Sequence, residues 1–127
     1  MIAQILIADD DAAITTLLGD YLAAKNHRVI AVNDGFQLAQ KASEHRPHLI
    51  ITDVQMPGAY GSTVYQTLHR DINTMNIHII FMSGHPYEKL KTLLPEGPKT
   101  RFTQKPLKLE ELDRFVHELL PMGGYAP

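Results

Sequence analysis

A chain of 127 residues has room for one domain, since domains run to roughly 100–200 residues, and for a core that needs no covalent staples. With 44% hydrophobic and 20% charged residues the composition is that of an ordinary globular protein, and a net charge of -2 leaves no basic excess to displace counterions from nucleic acid. The absence of cysteine excludes disulfides and thiolate metal sites, and the seven histidines are scattered: the closest pair, His45 and His48, brackets Pro47 and cannot stand one turn apart on a continuous helix.

From the amino end, the chain enters a short apolar run at residues 5–8 that lacks the length and basic flank of a signal peptide. No stretch approaches the roughly 18 apolar residues of a membrane helix, so a cytoplasmic location without a membrane partner is expected. Runs at 5–8, 29–32, 49–52 and 77–82 are short, rich in Ile and Val, and predict buried strands, with a weaker one at 100–104. Ile14, Leu17, Leu18, Tyr21 and Leu22 recur at helical spacing after the first strand. Phe36, Leu38, Ala39 and Ala42 suggest a helix after the second, and Val64 and Leu68 another beyond the Pro57-Gly58 break. Pro86 stands where a fourth helix would open, but Pro95 and Pro98 bound it to about two turns. Leu109, Leu112, Val116, Leu119 and Leu120 mark the last helix. Residues 122–127 read as a frayed tail or the start of a linker, which leaves 1–121 as the domain.

Strands alternating with helices imply an α/β fold, a parallel sheet covered on both faces. Right-handed crossovers put helices on both faces only if the strand order reverses, and at that reversal the ligand site lies beyond the carboxyl ends of the strands. The predicted strand ends carry Asp9-Asp10-Asp11, then Asn33-Asp34-Gly35, then Asp53, Ser83 and Lys105-Pro106. The second of these is a turn signal only. The other four supply carboxylates, one hydroxyl and one ammonium to a shallow site.

Crowded carboxylates need a proton or a cation to relieve their repulsion, and Mg²⁺ suits an all-oxygen cluster because it accepts one or two carboxylates and keeps several waters. A free carboxylate oxygen can then attack phosphorus in line, with the metal and Lys105 offsetting charge and Ser83 donating a hydrogen bond to the transferred group. The product is an aspartyl phosphate. Taken singly these residues have plainer readings: Asp11 caps the first helix, Asp53 is a turn residue, Ser83-Gly84 a loop and Lys105 a solvated charge. Their coincidence at four strand ends favours the chemistry.

The segments Ile5-Leu6-Ile7-Ala8-Asp9-Asp10-Asp11, Leu49-Ile50-Ile51-Thr52-Asp53-Val54-Gln55-Met56-Pro57-Gly58, Ile80-Phe81-Met82-Ser83-Gly84 and Lys105-Pro106-Leu107 resemble, in order and spacing over about residues 2–120, the receiver domains of response regulators. The resemblance implies a flavodoxin-like (βα)5 fold, doubly wound, with strand order 2-1-3-4-5. It makes Asp53 the phosphoacceptor and gives the Mg²⁺ ligands as Asp9, Asp10, Asp53 and the backbone carbonyl of Gln55. Ser83 becomes the switch hydroxyl, Phe102 the aromatic switch residue, and Lys105 the phosphate-contacting lysine, followed by a cis peptide to Pro106. The implied partners are a histidine kinase or histidine phosphotransfer protein as donor, and an output protein contacted through the fourth helix, fifth strand and fifth helix.

Three departures from that pattern stand out. Tyr60 replaces an aspartate, which would shift the next helix cap to Ser62. Phe102 lacks a phenolic hydroxyl, so its inward and outward positions would differ by burial alone. Leu93-Leu94-Pro95-Glu96-Gly97-Pro98-Lys99 cannot continue a helix, which predicts a short or irregular fourth helix and unusual partner choice. His85, two residues past Ser83, is near enough to influence hydrolysis, although a solvated loop histidine is the plainer reading.

The protein is therefore expected to be a phosphorylation-controlled binding module acting on its own side chain, not an enzyme. Two competing readings follow from the same residues. Asp9-Asp10-Asp11 contains the Asp-x-Asp spacing of a phosphatase nucleophile, although Ala13 is wrong for that motif and the chain is short for a substrate-covering cap. A pseudo-receiver acting without phosphorylation is disfavoured by the complete set of acceptor, acids, hydroxyl and lysine.

Overall fold

The computed structural model describes residues 2–56, 59–92, 94 and 96–120, with backbone only at 56 and 59–64. Five strands, β1 (Gln4–Ala8), β2 (Arg28–Val32), β3 (Leu49–Asp53), β4 (His78–Ser83) and β5 (Thr100–Gln104), form one parallel sheet in the order β2-β1-β3-β4-β5. Each predicted strand is present, within one residue at either end. The run Leu-Ile-Ile-Thr-Asp of β3 is buried along its whole length because β1 and β4 flank it and helices cover both faces. β2 and β5, at the edges, keep more exposed residues.

Four helices follow as α1 (Ala12–Ala24), α2 (Gly35–His45), α3 (Gly61–Arg70) and α4 (Leu109–Leu119). Asp11 caps α1 by accepting the Ala13 N–H at 2.9 Å, as predicted. Asp34 does the same for α2, through the Gln37 N–H at 2.8 Å. The turn signal at Asn33-Asp34-Gly35 is thus also a helix start. Arg46 ends α2 in a left-handed conformation, and Pro47 follows. The predicted cap at Ser62 is not borne out: α3 starts at Gly61, so Ser62 lies in its first turn.

The two faces of the sheet carry separate cores. Alternation along β1 sends Leu6 and Ala8 to one face, with Leu38 and Ala42 of α2 and Leu68 of α3. Ile5 and Ile7 go to the other, with Leu18 and Leu22 of α1 and Leu112, Val116 and Leu119 of α4. Each fully buried Leu or Ile is worth about 1.5–3 kcal/mol over its exposed state. Phe36 and Leu17, counted with the helical patterns, are helical but point outward, 74% and 44% exposed.

Among its described residues the fourth crossover holds a 3-10 turn, Tyr87–Lys89, with Pro86 just before it, where a helix of about two turns was expected. No helix is long and apolar enough to cross a membrane among the described residues. An antiparallel ribbon of Gln55–Met56 with Ala59–Tyr60 was not anticipated. Pro57, Gly58, Leu93, Pro95 and residues 121–127 lie outside the described residues, as do the side chains of Tyr60 and Val64.

Polar contacts tie α4 to its neighbours. Asp113 accepts a hydrogen bond from the Tyr21 hydroxyl of α1 and pairs with Lys25 at 3.2 Å. Glu111 accepts from Thr103 of β5 at 2.6 Å, and Glu118 from Arg101 at 3.0 Å. The Tyr21 hydrogen bond, and then Lys25, hold the Asp113 carboxyl below its ordinary range against the opposing effect of burial. A carboxylate lowered on folding stabilises above its unfolded pKa and loses that effect as pH falls through the folded value. Tyr21→Phe is expected to cost about 1 kcal/mol in urea unfolding at neutral pH, with the difference shrinking below about pH 4 as Asp113 takes up its proton.

Candidate functional site

The strand order places the site. The chain moves from β1 outward to β2 and then returns past β1 to β3, so the order reverses between β1 and β3. α1 therefore lies on one face and α2 on the other, leaving a crevice at the carboxyl ends of β1 and β3. Register does the rest. Ala8 pairs with Thr52, so Asp9 and Asp53, each one residue on, emerge side by side. Asp53 pairs with Met82 and Ser83 with Gln104, which brings Ser83 and Lys105 to the same rim.

Lys105 sits at the centre. Its Nζ donates to Asp9 Oδ2 and to Asp53 Oδ2, both at 2.7 Å. The remaining oxygen of each carboxylate accepts a backbone amide two residues on: Asp9 Oδ1 from Asp11 N–H and Asp53 Oδ1 from Gln55 N–H, both at 2.9 Å. Asp9 and Asp53 are buried, while Asp10 is exposed. Burial alone would lower the Lys105 pKa, but hydrogen bonds and charge from Asp53 and Asp9 outweigh it, and the net shift is upward. The ammonium is held protonated between two carboxylates.

Asp9, Asp10 and Asp53 each offer a carboxylate oxygen within 4.8 Å of the others, and among the described residues they are the group so arranged. Three hard oxygen donors at a surface crevice, one of them exposed, fit a hydrated divalent cation such as Mg²⁺. Ser83, buried, lies at the rim with its Oγ accepting the His85 N–H at 2.9 Å. His85 itself is exposed, in keeping with the solvated reading. The Lys105-Pro106 peptide is cis, and the Lys105 amide donates to the Ser83 carbonyl at 2.7 Å, tying the two rim residues by backbone as well.

Asp11 is not part of the cluster. Its carboxylate caps α1, which leaves an Asp-x-Asp phosphatase reading without its second acid. Phe102 lies farther along β5, partly buried against the α2–α3 core, its ring 5.2 Å from that of Tyr87. Both rings line an open cleft of about 330 Å³ with Phe81 and Leu94. The Tyr87 hydroxyl donates to Glu96. Sequence reasoning missed Tyr87, and only its position just after Pro86 in a loop crossing β5 hinted at it.

Comparison with known proteins identifies the family. The family model for the response regulator receiver domain matches residues 5–117. The chain is 31% identical over 126 residues to the DNA-binding dual master transcriptional regulator RpaA of Synechocystis sp., covering 98% of this chain and 52% of that protein. It is 25% identical over 123 residues to the polar-differentiation response regulator DivK of Brucella anthropi, covering 97% of this chain and 98% of that one. It thus spans about half the length of RpaA and nearly all of DivK. In fold it matches the receiver domain of sensor histidine kinase PA1611 from Pseudomonas aeruginosa, with a TM-score of 0.84, 23% identity, and coverage of 94% and 98%. That domain was crystallised with a magnesium ion coordinated in its active site cleft. With a family match over most of its length and the family's parallel sheet, this chain belongs to the response regulator receiver domains, signalling domains of two-component systems whose common function is phosphoryl transfer.

Proposed function

We propose that Asp53 is the phosphoacceptor, receiving its phosphoryl group from a histidine kinase or a histidine phosphotransfer protein. The observation that carries this reading is the Lys105 ammonium 2.7 Å from both Asp9 and Asp53 at the carboxyl edge of the sheet. A carboxylate nucleophile needs its position fixed and a positive group nearby for the phosphoryl oxygens, and Asp53 has both.

Asp9, Asp10 and Asp53, with the backbone carbonyl of Gln55, would hold Mg²⁺. When bound, the ion offsets the negative charge of the three carboxylates and of the phosphoryl oxygens. The side chains of this protein do the rest. An oxygen of Asp53 attacks phosphorus as the phosphorus–nitrogen bond to the donor imidazole breaks, forming an acyl phosphate and releasing a neutral imidazole once it has taken up a proton. The Gln55 amide on Oδ1 keeps the carboxylate from rotating. Lys105, already between the two acids, turns from Asp53 Oδ2 to the transferred group. The Ser83 oxygen accepts from the His85 amide, so its own hydrogen serves as a donor to that group.

The output is a change of surface. Ser83 and Lys105 are joined through the backbone, and β5 carries Phe102, so a shift at the rim is passed to the aromatic pair Phe102 and Tyr87. The receiving partner contacts this face, made of the 3-10 turn, β5 and α4. Residues 1–121 form the receiver domain and 122–127 a tail or linker, in a cytoplasmic setting without direct contact to nucleic acid or membrane.

Incubation with a small phosphodonor and Mg²⁺, followed by intact-mass measurement, is expected to add one phosphoryl group to the wild type and none to Asp53→Asn. Chelation of the metal abolishes the addition, and equal labelling of Asp53→Asn would refute the assignment. In thermal unfolding, Mg²⁺ at about one hundred times its dissociation constant should stabilise the wild type by about 2.7 kcal/mol, and Asp10→Asn should need a higher concentration for the same effect. Lys105→Ala leaves Asp9 and Asp53 without their shared counter-charge. Without metal it is expected to lose about 3 kcal/mol of stability at neutral pH, read by urea unfolding.

A further inference from the structure

At the edge of the sheet opposite the aspartates, β1 begins between two loops, and each loop contributes a histidine. On one side the Ala3 N–H donates to His27 Nδ1 at 3.3 Å, and the Ala3 carbonyl accepts the Arg28 N–H at 2.8 Å. On the other the Gln4 N–H donates to His48 Nδ1 at 2.9 Å, and the Gln4 carbonyl accepts the His48 N–H at 2.8 Å. Two consecutive residues are therefore held from both sides by the same pairing of one backbone and one imidazole bond. Ala3 is fully buried, His27 half-buried and His48 exposed.

An imidazole nitrogen that accepts an amide proton must present its lone pair. Both rings are therefore neutral, with their hydrogen on Nε2, whereas a protonated imidazole can only donate. His78 supplies a contrast within the same molecule. Its Nδ1 lies 2.7 Å from the Leu119 carbonyl, so there the nitrogen carries the hydrogen and protonation leaves the bond intact. His117, whose Nδ1 lies 2.8 Å from the Asp113 carbonyl, is of this second kind.

We propose that His27 is a proton-sensitive latch on the start of β1, closed while its imidazole is neutral and released when it is protonated, beside a second imidazole bond from His48 to the next amide. The surroundings of His27 favour the closed form. Burial foremost, then the N-terminal ammonium, His117, Lys25 and His48, hold its pKa below the ordinary histidine value. The Asp113 carboxylate of α4, beside Lys25 and His117, is already engaged by Tyr21 and Lys25. Glu44 at the end of α2 pairs with Lys41 and His45. A group lowered on folding contributes stability above its unfolded pKa, about 6.5, and loses it as pH falls through the folded value. The strand so released is the one that bears Asp9 and Asp10 at its other end.

Amide hydrogen exchange by NMR on the wild-type chain tests this directly. Corrected for intrinsic rates, protection of Ala3 is expected to fall about tenfold between about pH 7.5 and about pH 5.5, while Ile51 and Ile80 in the sheet centre keep theirs. In His27→Asn the side-chain amide oxygen stands in for Nδ1 and accepts at either pH, so the fall should vanish. His78→Asn should retain it. Unchanged protection in the wild type, or an equal fall in His27→Asn, overturns the latch; the wild-type measurement decides even if that variant does not fold.

Discussion

The ammonium of Lys105, set between the carboxylates of Asp9 and Asp53, is the interaction on which the rest of this structure depends. Two buried acids cannot share one crevice unless something positive sits between them. The positive group comes from a residue 96 positions from one acid and 52 from the other, so it can arrive only if β5 is in register with the sheet. Register in turn follows from apolar β3 being buried between β1 and β4, where a one-residue slip would turn its side chains to the wrong face. The polar site and the apolar core thus hold each other in place.

The same geometry explains how one crevice serves opposite needs. Asp9 and Asp53 are sequestered and hydrogen-bonded through both oxygens, which fixes their directions. Asp10, one residue past Asp9, faces solvent. Adjacent residues on an extended chain point to opposite sides, so a pair of consecutive aspartates supplies one inward and one outward carboxylate without any further device. Asp11 then closes the sequence by starting α1. Three neighbouring aspartates have three different surroundings.

Much of this was legible in the sequence because the signals were local and strong. Short Ile-rich runs ending in Asp or Ser are hard to mistake when three of them occur in order, and a weaker run ending at Lys105 completes the set. The strands at 49–53 and 100–104 were read to within a residue. What escaped notice depended on tertiary contact. Periodicity used Phe36 and Leu17 as marks of helices, which form there, yet spacing did not tell that both side chains face outward. Asp34 looked like turn chemistry alone, because an Asn-Asp-Gly turn and a helix cap use the same side-chain preference. The pairing of Tyr87 with Phe102 joins a loop to a strand across 15 positions, and no spacing rule reports such a contact.

The connection between β4 and β5 has a mechanical consequence. Where the other crossovers are helices of 10 to 13 residues, the helical element in the described part of this one is a three-residue 3-10 turn. Side-chain packing holds it instead: Leu90 and Leu94 are buried with the core on the α2–α3 face, and the Tyr87 ring lies against Phe102, so this connection is seated on the sheet by its side chains.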